Sequence, residues 1–201
     1  MLMSITIKER SLWAIYVLLG INIGAFIAGI IATRTVDFSG TDYVLFFAYF
    51  KLLTFKYGWY WQFITSIFTH LNILHISLNM FFLYLLGVQA ERIIGGRKLI
   101  YLYLLSGFGG NIMTTIFPLS LGGLGASGAI FGIFGYLTAY YGVLGGNIKN
   151  MLFYAFFIFL INSLIPNVDI FAHLGGLLVG ILWGYNDAKK FIRGVRVIRY
   201  L

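Results

Sequence analysis

Apolar residues occur along this chain in six long runs separated by short polar segments. The runs cover about residues 11–33, 69–90, 98–117, 126–144, 150–165 and 170–188. A helix that crosses a bilayer needs about 20 predominantly apolar residues, and most of the runs approach or reach that length. The pattern therefore predicts an all-α polytopic membrane protein with six transmembrane helices.

The composition leads to the same class of protein. Of the 201 residues, 60% are hydrophobic and 10% are charged, whereas a soluble domain is about 45–50% apolar and about 25% charged. Six spans require roughly 120 apolar residues, and this is nearly the number that the chain contains. We therefore expect residues 1–201 to form a single membrane domain. The chain has no cysteine, which excludes disulfides, thiolate metal sites and cysteine nucleophiles.

The net charge of +8 is distributed unevenly along the chain. Eleven of the 14 basic residues lie before the first run, in the second and fourth connections, or after the sixth run. The positive-inside rule therefore predicts that both termini are cytoplasmic and that residues 189–201 form a basic cytoplasmic tail. This distribution indicates contact with anionic lipid headgroups and argues against binding of nucleic acid.

The first connection is long and unusually aromatic. Residues 34–68 include a tryptophan-rich and phenylalanine-rich stretch that Lys51, Lys56 and Gly58 interrupt. Aromatic side chains with scattered cations favour the boundary between lipid headgroups and acyl chains. We therefore expect a long external loop that is embedded in the outer leaflet. An aromatic belt with no other role is an equally acceptable interpretation.

Several polar residues lie where the pattern predicts apolar surroundings. His70 and His75 begin the second run, Asn79 follows one helical turn later, and His173 begins the sixth. Ser127 begins the fourth run, directly after a glycine-rich stretch. A polar residue inside a span is costly and is therefore a functional hypothesis by default. The predicted topology brings these side chains to one depth, in the outer half of the membrane.

Small residues predict which spans pack closely. Ala172, Gly176 and Gly180 recur every four residues in the sixth run, and Gly128 and Gly132 do so in the fourth. Such ladders allow helix backbones to approach each other in lipid. We therefore expect the fourth and sixth spans to pack together, with His173 within reach of Ser127. Simple bundle packing is the alternative explanation for either ladder alone.

Other chemistry is less well supported. Gly123, Gly125 and Gly128 match the dinucleotide-binding pattern, but no strand precedes them and no acid follows at the required spacing. A metal site built from the three histidines is disfavoured because a five-residue separation puts His70 and His75 about 140° apart on a helix. We predict no metal and no cofactor.

With these residues in view, the chain resembles the rhomboid family of intramembrane serine proteases. The resemblance extends from Trp61 to Gly184 and depends on several motifs in one order. The motifs are Trp61-x-x-x-Thr65-x-x-Phe68-x-His70, His70-x-x-x-x-His75-x-x-x-Asn79, Glu91-Arg92, Gly125-x-Ser127-Gly128 with Phe131, and Ala172-His173-x-x-Gly176-x-x-x-Gly180. The family implies a six-helix bundle with a Ser–His dyad that is open to the outside.

The resemblance implies a role for each matching residue. Ser127 would be the nucleophile, and His173 the general base and acid. His75, the Asn79 side chain and the Ser127 backbone N–H would stabilise the oxyanion. Phe131 would stack on His173, with Gly125 and Gly128 as supporting residues.

Two positions raise questions about the resemblance. Gln62 stands where the family commonly has arginine, which leaves the anchoring of the loop open. Asp169 lies one turn before His173, so a Ser-His-Asp triad remains an alternative to the dyad.

The expected substrates are transmembrane segments of membrane proteins, and we expect the plasma membrane of a prokaryote as the location. A catalytically inactive rhomboid-like protein that binds membrane clients is the main alternative. A transporter or channel is less well supported, because no second copy of the 122–132 pattern suggests an inverted repeat.

Overall fold

Helices dominate the structure, a computed structural model that describes residues 11–117, 122–163 and 168–198 and omits the side chains of residues 162, 163 and 196–198. Six of the helices have 16 or more residues. In chain order the helices are α1 (Trp13–Thr33), α2 (Asp42–Phe47), α3 (Lys51–Tyr57), α4 (Gln62–Thr65), α5 (Ile73–Ile94), α6 (Gly96–Ile116), α7 (Ser127–Leu144), α8 (Ile148–Ser163) and α9 (Ile170–Ile198).

The long helices coincide with the six apolar runs to within a few residues at most ends, which confirms the predicted all-α class. By length and composition, α1, α5, α6 and α7 can each cross a membrane, and α8 contains a shorter apolar segment. Large apolar side chains cover their outer faces: Ile31 is 75% exposed, Leu74 68% and Phe153 64%. Such surfaces suit contact with lipid rather than with water.

The prediction was wrong at the start of the second span. Residues 69–72 are not helical, and α5 begins only at Ile73. Asn72 caps the helix, because its side-chain oxygen accepts a hydrogen bond from the backbone N–H of His75 at 3.0 Å. This cap is a strong local signal for a helix start. His70 therefore lies outside the helix that contains His75.

The residues of the predicted basic tail are helical where the structure describes them. Helix α9 continues without a break to Ile198, so residues 189–198 prolong the last helix. Lys8, Arg10 and Arg199, which contributed to the charge argument, lie outside the described residues.

The segment between α1 and α5 is folded rather than a plain loop. It contains α2, α3, α4 and a 3-10 turn at Ser66–Phe68. A two-residue strand, β1 (Tyr49–Phe50), pairs antiparallel with β2 (Gly122–Gly123) and so joins this segment to the residues that precede α7. The connection thereby helps to position the start of α7.

Gln62 holds the folded segment together. Its side chain is fully buried, and its oxygen accepts hydrogen bonds from the Phe50 backbone N–H at 3.1 Å and the Thr54 hydroxyl at 3.0 Å. Its nitrogen donates to the carbonyls of Leu45 at 2.9 Å and Phe46 at 3.3 Å. A neutral amide thus provides the anchor that the sequence had left in question.

Helix α9 packs closely against α7 along its small residues. A side chain at Gly176 would collide with the backbone carbonyl of Gly128, and one at Gly180 with that of Gly132. On the other side of α9, the carbonyl of Ala172 lies 2.6 Å from where a Cβ on Gly110 of α6 would be. Because α9 lies so close to both neighbours, the depth of its first turn relative to α7 is well defined.

Helices α1 and α5 meet through a buried carboxylate. Glu91 is fully buried, and its two oxygens accept hydrogen bonds from the backbone N–H groups of Ala14 and Ile15, each at 2.9 Å. These N–H groups belong to the first turn of α1, where an anion is favoured by the unpaired donors and the helix dipole. The contact aligns the start of α1 with the end of α5.

Candidate active site

Ser127 is the first residue of α7, and the residues before it fix its position. Gly125 has a φ of +108°, a conformation that side chains other than glycine rarely adopt. Its backbone N–H donates to the Ser66 carbonyl at 2.8 Å. The next N–H, that of Ala126, donates to His70 Nε2 at 3.4 Å. The chain therefore turns sharply into the helix while the 3-10 turn and His70 hold it.

The side chains of Ser127 and His173 are joined across α7 and α9. His173 Nε2 lies 2.7 Å from Ser127 Oγ, which is hydrogen-bond distance. His173 is only 4% exposed, whereas Ser127 is half-buried. The pair therefore combines an accessible hydroxyl with a buried imidazole.

An aromatic ring fixes the plane of the imidazole. Phe131, one helical turn after Ser127 on α7, stacks on His173 with ring centroids 4.4 Å apart and planes inclined by 25°. Phe131 is itself buried and packs against Phe159 of α8. An imidazole held this way can rotate little, so its Nε2 atom stays directed at Ser127.

Asp169 does not complete a triad in this structure. Its Oδ1 accepts hydrogen bonds from the backbone N–H groups of Phe171 at 3.1 Å and Ala172 at 3.2 Å. Its Oδ2 is bonded to the Thr114 hydroxyl of α6 at 2.6 Å. Among the described residues, His173 Nδ1 has no hydrogen-bond partner. Asp169 is thus the N-cap of α9, and Thr114 is a contact that the sequence pattern had not indicated.

His75 faces the turn that precedes Ser127. Its Nδ1 accepts from the backbone N–H of Leu71 at 3.3 Å. In a neutral imidazole with that acceptor, the hydrogen lies on Nε2. A Cβ on Gly125 would come within 2.7 Å of this Nε2 atom, so the absence of a side chain at Gly125 keeps the space in front of the N–H group open.

Asn79 lies one turn further along α5 and points to the same space. Its Nδ2 donates one hydrogen to the His75 carbonyl at 2.9 Å. The amide group has a second hydrogen, and Nδ2 lies 3.9 Å from the position of a Cβ on Gly125. The backbone N–H of Ser127 lies in the first turn of α7, where N–H groups have no partner within the helix.

His70 and His75 do not lie on one helix, contrary to the prediction from the sequence. Because His70 precedes α5, its ring lies near that of His75, with centroids 5.2 Å apart. His70 Nε2 is nevertheless occupied by the Ala126 N–H. Within the described ranges, no group of three potential metal-binding side chains comes together.

Comparison with known proteins identifies the fold. The family model described as Rhomboid domain matches residues 57–190. The chain belongs to the rhomboid family. The matched residues include Ser127, His173, His75 and Asn79, and this rhomboid chain is an integral membrane protein with a polytopic helical fold.

Individual relatives are moderately similar to the rhomboid chain. It is 34% identical over 142 residues to the rhomboid protein YdcA of Bacillus subtilis (strain 168). The matched stretch covers 66% of this chain and 70% of the Bacillus protein. It is 31% identical over 156 residues to Rhomboid-like protease 3 of Toxoplasma gondii, covering 74% and 56% of the two chains.

A plant relative has a similar degree of identity. The chain is 35% identical over 131 residues to the Arabidopsis thaliana protein named "RHOMBOID-like protein 6, mitochondrial". That match covers 62% of this chain and 43% of the plant protein. The chain spans about 33–43% of the length of four such Arabidopsis relatives.

Proposed function

We propose that this protein is an intramembrane serine endopeptidase that uses Ser127 and His173 as a dyad. The single observation on which the proposal depends most is the 2.7 Å contact between Ser127 Oγ and His173 Nε2. A serine hydroxyl is a weak nucleophile until an adjacent base removes its proton. The rhomboid family and its members named as proteases support this assignment.

In the proposed mechanism, Ser127 Oγ attacks the scissile carbonyl carbon while His173 Nε2 takes the hydroxyl proton. The tetrahedral intermediate then collapses, the peptide C–N bond breaks, and His173 gives the proton to the leaving amine. Water hydrolyses the resulting acyl-enzyme by the same steps, with His173 as its base. Phe131 keeps the imidazole in the orientation that both proton transfers need.

The developing oxyanion is stabilised by three donors in this proposal. They are the Nε2–H of His75, the second amide hydrogen of Asn79 and the backbone N–H of Ser127. His75 and Asn79 border the space next to Gly125, where a side chain would collide with His75, and Ser127 follows Gly125 by two residues. Donors fixed before the reaction stabilise the transition state without a cost of reorganisation.

The dyad needs no third acid in this proposal. In a triad, the acid orients the histidine and stabilises its charged form. Here the Phe131 ring and the packing of α9 fix the orientation of His173. Both oxygens of the Asp169 carboxylate have hydrogen-bond partners, Oδ1 as a helix cap and Oδ2 with Thr114. We therefore assign Asp169 a structural role.

The proposed substrates are transmembrane segments that unwind near their outer end. A helical peptide bond is shielded by its own hydrogen bonds, so local unwinding must precede attack. We further propose that both termini are cytoplasmic, that the site opens to the outside, and that residues 34–68 are embedded in the outer leaflet. The charge distribution supports this orientation, and the similarity to a Bacillus protein supports a prokaryotic plasma membrane.

A catalytically inactive rhomboid-like protein that binds membrane clients is the second candidate. Its distinguishing feature would be a site in which the serine and histidine are missing or separated. The presence of both residues at hydrogen-bond distance favours the protease.

A fluorophosphonate probe for serine hydrolases tests the proposal on the purified protein. We expect covalent labelling of the wild type at Ser127 and loss of labelling in Ser127→Ala. Ser77→Ala is the matched control, because Ser77 is an exposed serine on α5. Equal labelling of wild type and Ser127→Ala, or no labelling of either, would contradict the protease assignment.

A further inference from the structure

A polar cavity lies at the end of the bundle opposite to Ser127. It has a volume of about 210 Å³ and is bordered by Tyr136 of α7, Lys98 of α6, and Asp187, Lys190 and Phe191 of α9. At a rise of about 1.5 Å per residue, Tyr136 lies about 13 Å beyond Ser127 along α7, and Lys190 lies about 25 Å beyond His173 along α9. The cavity is therefore separate from the candidate active site.

Two exposed lysines and a buried tyrosine border this cavity. Within the part of the chain that the structure describes, Lys98 and Lys190 have no ion-pair partner. The hydroxyl of Tyr136, a residue with no solvent exposure, makes no hydrogen bond within 3.5 Å among those residues and faces the Asp187 carboxylate. Asp187 accepts a hydrogen bond from Trp183 Nε1 at 3.2 Å. Two cations and one carboxylate leave the cavity with a net positive charge.

The position of the cavity restricts what can occupy it. The cavity lies where α5 ends and α6 begins, and Lys190 borders it from the last third of α9. It is therefore near a membrane surface rather than at the bilayer centre. Ile94 and Phe191 supply an apolar border. A molecule that combines a negative charge with an attached hydrocarbon chain would match both the lysines and this border.

We propose that this cavity binds the headgroup of an anionic phospholipid. The phosphate lies between Lys98 and Lys190, since lysine is a common phosphate partner and basic pockets between transmembrane helices suit lipid headgroups. The Tyr136 hydroxyl faces Asp187 and donates to a glycerol oxygen of the headgroup. Asp187 would repel a phosphate, so it faces the distal part of the headgroup and accepts a hydrogen bond from a glycerol hydroxyl. The lipid chain follows the apolar border, and this site is independent of the proposed protease activity.

Native mass spectrometry of the detergent-purified full chain, with added phosphatidylglycerol, tests the proposal. We expect one tightly retained lipid on the wild type. The double variant Lys98→Gln with Lys190→Gln should bind it roughly 10- to 30-fold more weakly, given the usual contribution of a basic side chain near an anionic lipid. Tyr136→Phe, which keeps the ring and removes only the hydroxyl, should weaken binding by about threefold.

The control pair is Arg97→Gln with Arg193→Gln, which removes the same charge from positions that are exposed, as Lys98 and Lys190 are, but that do not border the cavity. Wild-type retention in this pair supports a defined site. An equal loss in both pairs would show diffuse attraction and overturn the proposal.

Two further arms identify the ligand. Phosphatidylcholine at the same concentration should be retained much less, and inorganic phosphate should not displace the bound phosphatidylglycerol. Equal retention of phosphatidylcholine, or displacement by inorganic phosphate, would contradict an anionic phospholipid site.

Discussion

Gly176 of α9 lies directly against the backbone carbonyl of Gly128 on α7. Gly128 follows Ser127, and Gly176 comes three residues after His173, so this contact is adjacent to both members of the proposed dyad. The separation of the two helix backbones here determines whether Ser127 Oγ and His173 Nε2 can meet at 2.7 Å. A small change in helix packing should therefore have a large effect on the site.

Gly176→Ala should reduce both stability and activity. The added methyl group would meet a backbone carbonyl, which cannot rotate away as a side chain can. Overpacking of this kind typically costs about 1–3 kcal/mol of folding free energy. We expect a lower unfolding midpoint in detergent and a slower rate of fluorophosphonate labelling.

Gly194→Ala is the matched control on the same helix. A Cβ at Gly194 has no heavy atom within 4 Å, and alanine favours a helix over glycine by roughly 0.5–1 kcal/mol. This variant should label at the wild-type rate and be at least as stable. Equal behaviour of the two variants would contradict the assigned role of the close contact.

Asn79→Ala should lower the turnover rate rather than abolish it. Loss of one oxyanion donor typically raises the barrier by about 2.7–4 kcal/mol, equivalent to roughly 10²–10³ in kcat. Asn79 and Asn186 make the same local hydrogen bond, each donating Nδ2 to the carbonyl four residues before it at 2.9 Å. Asn186 is exposed on α9 and distant from Ser127.

Steady-state cleavage kinetics of Asn79→Ala and Asn186→Ala therefore separate two effects. One is the loss of the proposed oxyanion donor, and the other is the loss of the hydrogen bond within the helix. We expect the loss in Asn79→Ala only, and mainly in kcat. A similar kcat in both variants would remove Asn79 from the oxyanion site.

Asp169→Asn distinguishes the helix cap from a triad. Asparagine retains the oxygen that accepts from Phe171 and Ala172, and its amide can donate to the Thr114 hydroxyl. The cap account predicts cleavage activity close to that of the wild type. In a Ser-His-Asp triad the corresponding change lowers kcat by about 10⁴-fold. A loss of that size in a variant with wild-type stability would contradict the cap account.

Gln62→Ala should destabilise the segment between α1 and α5. It would leave the Phe50 N–H and the Thr54 hydroxyl without their buried acceptor, and each buried unsatisfied group costs about 1–3 kcal/mol. We expect a lower unfolding midpoint and faster proteolysis of the segment. Gln89→Ala is the control, because Gln89 is exposed and its side chain, among the described residues, bonds only to Leu85 of its own helix at 3.3 Å. Matching midpoints for the two variants would show that Gln62 is not an anchor.

The sequence predicted the long helices well because a membrane makes apolar length a direct signal. The prediction was wrong at His70. The apolar run includes residues 69–72, but Asn72 caps the helix, so these residues precede it. The prediction also missed the short helices between α1 and α5, since their fold depends on contacts of Gln62 with residues up to 17 positions away. No local pattern specifies such contacts.

The proposed site was predictable to a similar extent. Spacing and resemblance selected Ser127, His173, His75 and Asn79, and the structure brings these four side chains to one end of the bundle. The role of Asp169 could not be decided from spacing, because an acid four residues before a histidine suits both a cap and a triad. The Thr114 contact, which distinguishes the two, lies 55 residues away along the chain.

Cleavage of a transmembrane substrate by the purified protein in liposomes tests the central proposal most directly. The substrate should contain a single transmembrane segment with a helix-weakening outer end, and mass spectrometry of the products should locate the cut. The account predicts a cut within the outer part of that segment by the wild type. It predicts no cut by Ser127→Ala or by His173→Ala. Cleavage at the wild-type rate by either variant would contradict the proposed Ser–His dyad.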